Sequence, residues 1–233
     1  MDIVLWIIWF GTYFPGAVLF EIYIMHMFQQ NSYKPREYRE WLQVTGNIGR
    51  MLGKILYALI SIPFIAAGSR GFLIAAVCMN IMTILVNKPR QAKKPLVYTA
   101  RVKRMFTTTV LLFVIAAAVS LVLPIRQIKF CALVLLVLFV LEPVLVLAVN
   151  FINHPVELAI DRHYINDAAR ILKEMPNLTV IGVTGSYGKT SVKYFLSKLL
   201  STQFSVLHTP GNYNTTLGVV RTIREQMKPF HEI

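Results

Sequence analysis

The feature that most restricts this chain is a series of long apolar stretches parted by short, mostly basic loops. Five approach or exceed the roughly 20 helical residues that cross a hydrocarbon core: 3–28, 48–67, 71–86, 105–123 and 130–152. Only Gly68-Ser69-Arg70 separates the second from the third. A single helix over both would need more than roughly 50 Å of apolar length, too long for one span even when tilted. The sequence therefore predicts a helical hairpin there. Composition agrees, with 55% hydrophobic and 15% charged residues, a balance that soluble domains of this size rarely show.

The net charge of +13 is unevenly spread. Lys34, Arg36, Arg39, Arg50 and Lys54 outweigh Glu37 and Glu40 in the first loop region. Lys88, Arg90, Lys93, Lys94, Arg101, Lys103 and Arg104 form a second basic segment without an acid. Five spans with the N-terminus outside put both basic loops inside, leaving Arg70, Arg126 and Lys129 outside, as the positive-inside bias requires. The chain after Ile152 then lies in the cytoplasm, beside the inner membrane and its anionic lipid. No basic face interleaved with stacking aromatics marks a nucleic-acid surface, so nucleic acid is not an expected partner. The N-terminus lacks a basic n-region and a small-residue cleavage site, so its apolar run reads as a retained span. Cys78 and Cys131 sit inside apolar runs and offer neither a disulfide framework nor a zinc site.

Glu21, His26 and Glu142-Pro143 are the polar interruptions of these spans. Intramembrane carboxylates are costly and often functional. The reading preferred from sequence places Glu21 and His26 near the inner interface and turns Glu142 toward the bundle, where it can bond backbone freed by Pro143. Trp6, Trp9 and Tyr13 have the spacing of an interfacial aromatic belt.

Residues 153–177 form a connector. Val156, Ala159, Ile160, Tyr164, Ala168 and Ile171 recur at three- and four-residue spacing, which predicts an amphipathic helix from about Pro155 to Glu174. Pro155 suits a first helical turn, and Met175-Pro176-Asn177 suits a stop. Beyond it, 178–184 reads as a buried strand, 189–201 as a helix, 204–208 as a second strand and 217–226 as a second helix. The expected fold class is a multi-pass helical membrane domain followed by the start of a parallel α/β sheet with a phosphate loop.

That loop is Gly185-Ser186-Tyr187-Gly188-Lys189-Thr190, with Ser191 following. Between strand and helix, glycines let successive N–H groups face an anion, and the helix N-terminus adds partial positive charge. Lys189 can reach terminal phosphates, and Thr190 can take a Mg²⁺ position, with Ser191 as second choice. Two residues separate the glycines where the commonest phosphate loop has four, so neither a GTPase nor an AAA ATPase loop is indicated.

Gly-Val-Thr-Gly-Ser-Tyr-Gly-Lys-Thr-Ser closely resembles the ATP loop of the Mur ligase family, whose members add amino acids to the peptidoglycan stem. His208-Thr-Pro-Gly-Asn-Tyr-Asn-Thr-Thr-Leu-Gly, ending at Gly218, is similar to the family's Gly-Asn-x-Asn-Thr loop after its second strand. The resemblance covers about 179–224. It implies an ATP- and Mg²⁺-dependent carboxylate–amine ligase in which an acyl phosphate is attacked by an amine. By that resemblance Lys189 acts in catalysis and, with Gly185, Ser186, Tyr187, Gly188 and Ser191, holds the nucleotide. Thr190 holds Mg²⁺, while Asn212, Asn214 and Thr215 shape the wall facing the γ-phosphate and acceptor, Asn214 with a catalytic part.

The stretch Tyr164-Ile165-Asn166-Asp167 and the loop resemble the member joining D-alanyl-D-alanine to a UDP-muramoyl tripeptide. The implied substrates are a muramoyl peptide, UDP- or lipid-linked, and an amino acid or D-Ala-D-Ala. Typical members begin with a soluble UDP-sugar domain where this chain has helices. A poly-γ-glutamate or capsule-type amide ligase, and a transport protein with an ATP-binding appendage, are the other readings; a scarcity of paired ionisable groups in the spans weighs against transport. The sequence stops where a further strand is expected, so a fragment without turnover is the expectation.

Overall fold

The computed structural model describes residues 3–67, 70–86, 95–122, 128–211 and 213–233, with backbone alone at 45–51, 72, 86 and 121. Outside the described residues lie Gly68-Ser69, the basic residues Lys88, Arg90, Lys93 and Lys94, Leu123, Arg126 and Asn212. The described chain forms α1 (Ile3–Gln30), α2 (Pro35–Leu42), α3 (Thr45–Ala67), α4 (Arg70–Val86), α5 (Ala100–Val122), α6 (Ile128–Lys173), α7 (Lys189–Leu200) and α8 (Thr216–Gln226). It divides into two compact units, 1–154 and 155–233.

In the first unit, α1, α5 and α6 contain helical stretches long and apolar enough to cross a membrane: Ile3–Gln30, Ala100–Ser120 and Ile128–Lys173. The hairpin helices contribute shorter described apolar stretches, Leu52–Ala67 and Leu73–Leu85. Apolar side chains line both the inside and the outside of this unit. Trp9, Phe20, Ile24 and Leu135 are buried, while Ile7, Val114 and Ile115 are exposed. A helix apolar on all sides needs an apolar surround.

Interhelical hydrogen bonds and close packing join the helices of this unit. The Asn80 amide donates to the Trp9 carbonyl at 3.2 Å and to Thr12 Oγ1 at 3.2 Å, and its oxygen accepts from the Tyr57 hydroxyl, tying α1, α3 and α4 together. Tyr13 donates to the Leu135 carbonyl at 2.6 Å, joining α1 to α6. Asn153 donates to Thr108 Oγ1 at 2.9 Å, joining α5 to α6. The aromatic belt expected of Trp6, Trp9 and Tyr13 is instead part of the core: all three are buried, and Trp9 stacks on Tyr13 at 5.1 Å.

The sequence reading of the charged residues needs correcting. Glu21 is buried rather than interfacial, and its carboxyl meets that of Glu142. Lys54 is buried with them, its ammonium over the rings of Phe20 and Phe139 at 4.2 and 4.6 Å. Ionisable groups inside this unit are therefore paired, and their apparent scarcity was an effect of reading each helix alone.

The first loop region is also more ordered than its polarity suggests. Ser32 and Tyr33 take φ of 56° and 57°, and the Tyr33 amide donates to the Phe28 carbonyl at 3.0 Å, closing α1 with a left-handed stop. Pro35 then opens α2, a position that loses no helical hydrogen bond. Tyr38 is buried edge-on to Phe28 at 5.1 Å, and burial, then nearby Tyr23, Glu21 and Glu142, push its hydroxyl up from the ordinary phenol value. The ion pairs Lys34–Glu37 and Arg36–Glu40 are exposed and add little.

A fifth span ending at 152 and a separate connector helix do not appear as distinct elements. One helix of 46 residues runs from Ile128 to Lys173, carrying Pro143 and Pro155 in its interior.

In the second unit, the end of α6 is joined to α8. Arg224 Nε donates to Asp167 Oδ2 at 2.7 Å, Arg170 donates to Oδ1 at 2.8 Å, and the Arg224 guanidinium lies 4.3 Å from the Tyr164 ring centroid. Arg224 and then Arg170 hold the Asp167 carboxyl below its ordinary value. A depressed carboxyl contributes stability that is present above its unfolded pKa and lost as pH falls through the folded one. Melting of wild type should therefore weaken on acidification below about pH 4, whereas Asp167→Asn should melt lower than wild type at neutral pH and show less of that acid loss. Parallel pH–melting curves for the two proteins would remove the clamp.

The strands expected over 178–184 and 204–208 are not formed, since no strand occurs among the described residues. Instead Thr179 N donates to the Glu232 carbonyl at 2.8 Å, Ile233 N to the Ser205 carbonyl at 3.3 Å and Leu207 N to the Ile233 carbonyl at 2.8 Å. The last two bonds have the slanted order of a parallel pair. Glu232 and Ile233 thus bond to both apolar segments.

Candidate functional site

The site begins where Leu178–Thr184 gives way to glycine. Gly185 has φ of +147° and Gly188 +74°, backbone conformations that side-chain-bearing residues rarely adopt. Gly188 is the N-cap of α7 and supplies no side-chain cap. The first amides of an α-helix have no intrahelical partner, so the turn directs them and the positive helix end toward whatever anion approaches. At α8 the same need is met internally: Thr215 Oγ1 accepts from Gly218 N at 3.2 Å. Both helices follow glycine-containing loops, and the one behind Gly185-Ser186-Tyr187-Gly188 keeps its end uncapped by a side chain.

The Lys189 ammonium folds back onto the Gly185 carbonyl of its own loop. Thr190 and Ser191 follow on the first turn of α7, both exposed, and Tyr187 stands 96% exposed at the loop tip. Gly185, Lys189, Thr190 and Asn214 line one open cavity of about 730 Å³, whose floor comes from apolar residues of 178–183. Ser186, Tyr187, Gly188, Ser191 and Thr215 lie off its wall. Among the described residues no cluster of three or more His, Cys, Asp or Glu side chains is arranged to hold a metal ion. Thr190 thus stays the metal-directed candidate from sequence.

Lys193 ties the two loops together and escaped the sequence reading. Its ammonium donates to the Thr209 carbonyl at 2.5 Å and the Gly211 carbonyl at 2.7 Å, with Thr209 Oγ1 at 3.3 Å. Tyr194 accepts from Gly211 N at 3.1 Å, and Ser197 Oγ lies 3.1 Å from His208 Nδ1. One face of α7 therefore grips 208–211, the segment that leads into Asn214. The spacing of four from Lys189 was the available signal, because it puts Lys193 on the same helix face.

Comparison with known proteins falls on this part of the chain. The Mur ligase middle domain family matches residues 183–232. The likeness to the Mur ligase family lies in this segment of the chain. Three similar relatives are each a UDP-N-acetylmuramoyl-tripeptide--D-alanyl-D-alanine ligase. That of Treponema pallidum is 41% identical over 51 residues, 22% of this chain and 11% of the relative. That of Synechocystis sp. is 45% identical over 56 residues, 24% and 12% of the two chains. That of Bacillus subtilis is 48% identical over 44 residues, 19% and 10%. The chain matches only about a tenth of the length of these curated relatives. No solved structure matches it. The matched segment contains both glycine-bearing loops, α7 and α8, and so the cavity-lining residues Gly185, Lys189, Thr190 and Asn214.

Proposed function

We propose that this chain is the membrane-anchored part of an ATP-dependent carboxylate–amine ligase of peptidoglycan precursor synthesis. The observation that carries the reading is the uncapped start of α7 behind two positive-φ glycines, within the segment matched to the Mur ligase family. The residues fit a magnesium nucleotide. Backbone amides of Gly185 to Gly188 and the Lys189 ammonium suit phosphate oxygens, Thr190 with Ser191 beside it suits Mg²⁺, and Asn212, Asn214 and Thr215 suit the acceptor side. ATP, when bound, supplies the phosphoryl group that activates a carboxylate toward an amine. The protein's share is to hold phosphate and acceptor together and to offset negative charge during transfer.

The names of the relatives favour a muramoyl peptide and D-Ala-D-Ala as substrates over glutamate polymers. Helices α1, α5 and α6, with the hairpin α3–α4, would anchor the protein as five spans with the N-terminus outside. The nucleotide site then faces the cytoplasm, where ATP is. Such an anchor would suit a lipid-linked acceptor in place of a UDP-linked one.

Two measurements on the chain test this reading together. After alkaline carbonate washing it should stay in the membrane fraction, and a tag behind Ile233 should resist protease in intact cells but not after lysis. Photo-crosslinking with azido-ATP in detergent should label 178–233 in a magnesium-dependent way. An external tag, or no labelling at saturating nucleotide, would defeat the proposal.

A further inference from the structure

Within the helical unit, three charged side chains from three helices converge: Glu21 of α1, Lys54 of α3 and Glu142 of α6. Glu21 is 6% exposed, Glu142 1% and Lys54 7%. The two carboxyl groups meet side chain to side chain, with Thr109 of α5 beside Glu21 and the Lys54 charge acting on Glu142. Phe20 and Phe139 lie under the ammonium at 4.2 and 4.6 Å and close that side. Glu21 Oε1 and Glu142 Oε2 are buried without a hydrogen-bond partner. Two phenols also face the pair, Tyr38 toward both carboxyls and Tyr13 toward Glu142.

Charge counting decides what such a cluster holds. Two ionised carboxylates and one ammonium would leave a net negative charge away from water, at a cost of several kcal/mol. Two carboxylates in contact also have no donor between them, since an ionised carboxyl only accepts. One proton removes both problems. It forms an O–H on one carboxyl, which donates to an oxygen of the other, and the remaining negative charge balances Lys54. Paired carboxyls sharing a proton are a known consequence of such proximity. We propose that Glu21 and Glu142 bind a single proton between them against Lys54, making this a proton-binding site enclosed by the helical unit.

The test is infrared spectroscopy of the whole chain in lipid or detergent, in H₂O and D₂O, at neutral pH. Wild type should show a protonated-carboxyl C=O band of one-group intensity. Glu21→Gln and Glu142→Gln should each lose it, because the carboxylate left behind pairs with Lys54 and ionises. A wild-type spectrum without the band, or a band kept in both single variants, overturns the proposal. Melting gives a second reading that does not use the band. The two single variants should melt near wild type, the double variant E21Q/E142Q clearly lower, and E21Q/E142Q/K54M should recover. A double variant as stable as the singles would mean that Lys54 does not rely on the pair, and would equally overturn it. Should the double variant fail to fold, the triple variant still decides: its folding supports the charge count and its failure sinks it.

Discussion

Lys189→Ala is expected to weaken Mg-ATP binding about a hundredfold, on the order of 3 kcal/mol at the upper end for hydrogen bonds to charged groups. The ammonium is the one formal positive charge on the cavity wall contributed by the phosphate loop itself. Lys193 cannot substitute for it, because its three oxygen contacts hold it on 209–211. Lys189→Arg should recover only part of the loss, since a planar fork replaces a compact charge that can turn toward any of several oxygens. The loop should survive both changes, because its shape rests on Gly185 and Gly188 rather than on the lysine. Fluorescent-nucleotide titration with and without Mg²⁺, alongside unchanged melting, checks this. Affinity within a factor of about two of wild type in Lys189→Ala would take the nucleotide away from this loop.

How much of this was legible in the sequence differs sharply between local and non-local features. Helix α1 is readable because its run is long and predominantly apolar, and the observed Ile3–Gln30 differs from 3–28 by two residues at one end. The glycine turn and the start of α7 at Lys189 are equally local: the positive-φ positions are both glycine, and the helix begins right after the second. The start of α8 is local too, through the Thr215 cap.

What escaped depends on register between segments distant in sequence. Nothing in any single helix says that Glu21, Lys54 and Glu142 share one level of the unit, so each seemed isolated. Pro155 looked like a helix start because a proline costs least there, yet α6 passes through it, since enough neighbouring bonds continue on both sides. The apolar segment 178–184 has strand composition, but a strand exists only with a partner, and the partner supplied is the pair Glu232–Ile233. Tyr38 illustrates the same point in α2. Its burial against Phe28 comes from the left-handed stop at Ser32 and Tyr33, which no propensity argument would place on those two residues.

Phe139→Ala should destabilise the helical unit by about 3–5 kcal/mol, the range for removing a large buried aromatic side chain. Phe139 is 1% exposed and sits among rings from two other helices: Phe20 at 5.3 Å and Tyr13 at 6.1 Å on α1, and Tyr57 at 5.8 Å on α3. In lipid the transfer part of that cost shrinks, because an acyl chain is as apolar as the core, and the lost contacts carry most of it. A second contribution is electrostatic. The ring lies 4.6 Å from the Lys54 ammonium, a desolvated cation–π contact of about 2 kcal/mol, and its loss also opens the charged cluster to water. Phe139→Leu separates the two: it refills most of the volume but restores no ring, so it should regain stability without regaining the contact to Lys54. Phe139→Tyr keeps the ring and tests whether the site tolerates an added hydroxyl. Denaturant unfolding in mixed micelles gives the comparison. If Phe139→Ala cost less than about 1 kcal/mol, far below the usual range for such a cavity, the packing of α6 against α1 and α3 around Lys54 would be wrong, and the charge arrangement built on it would fall with it.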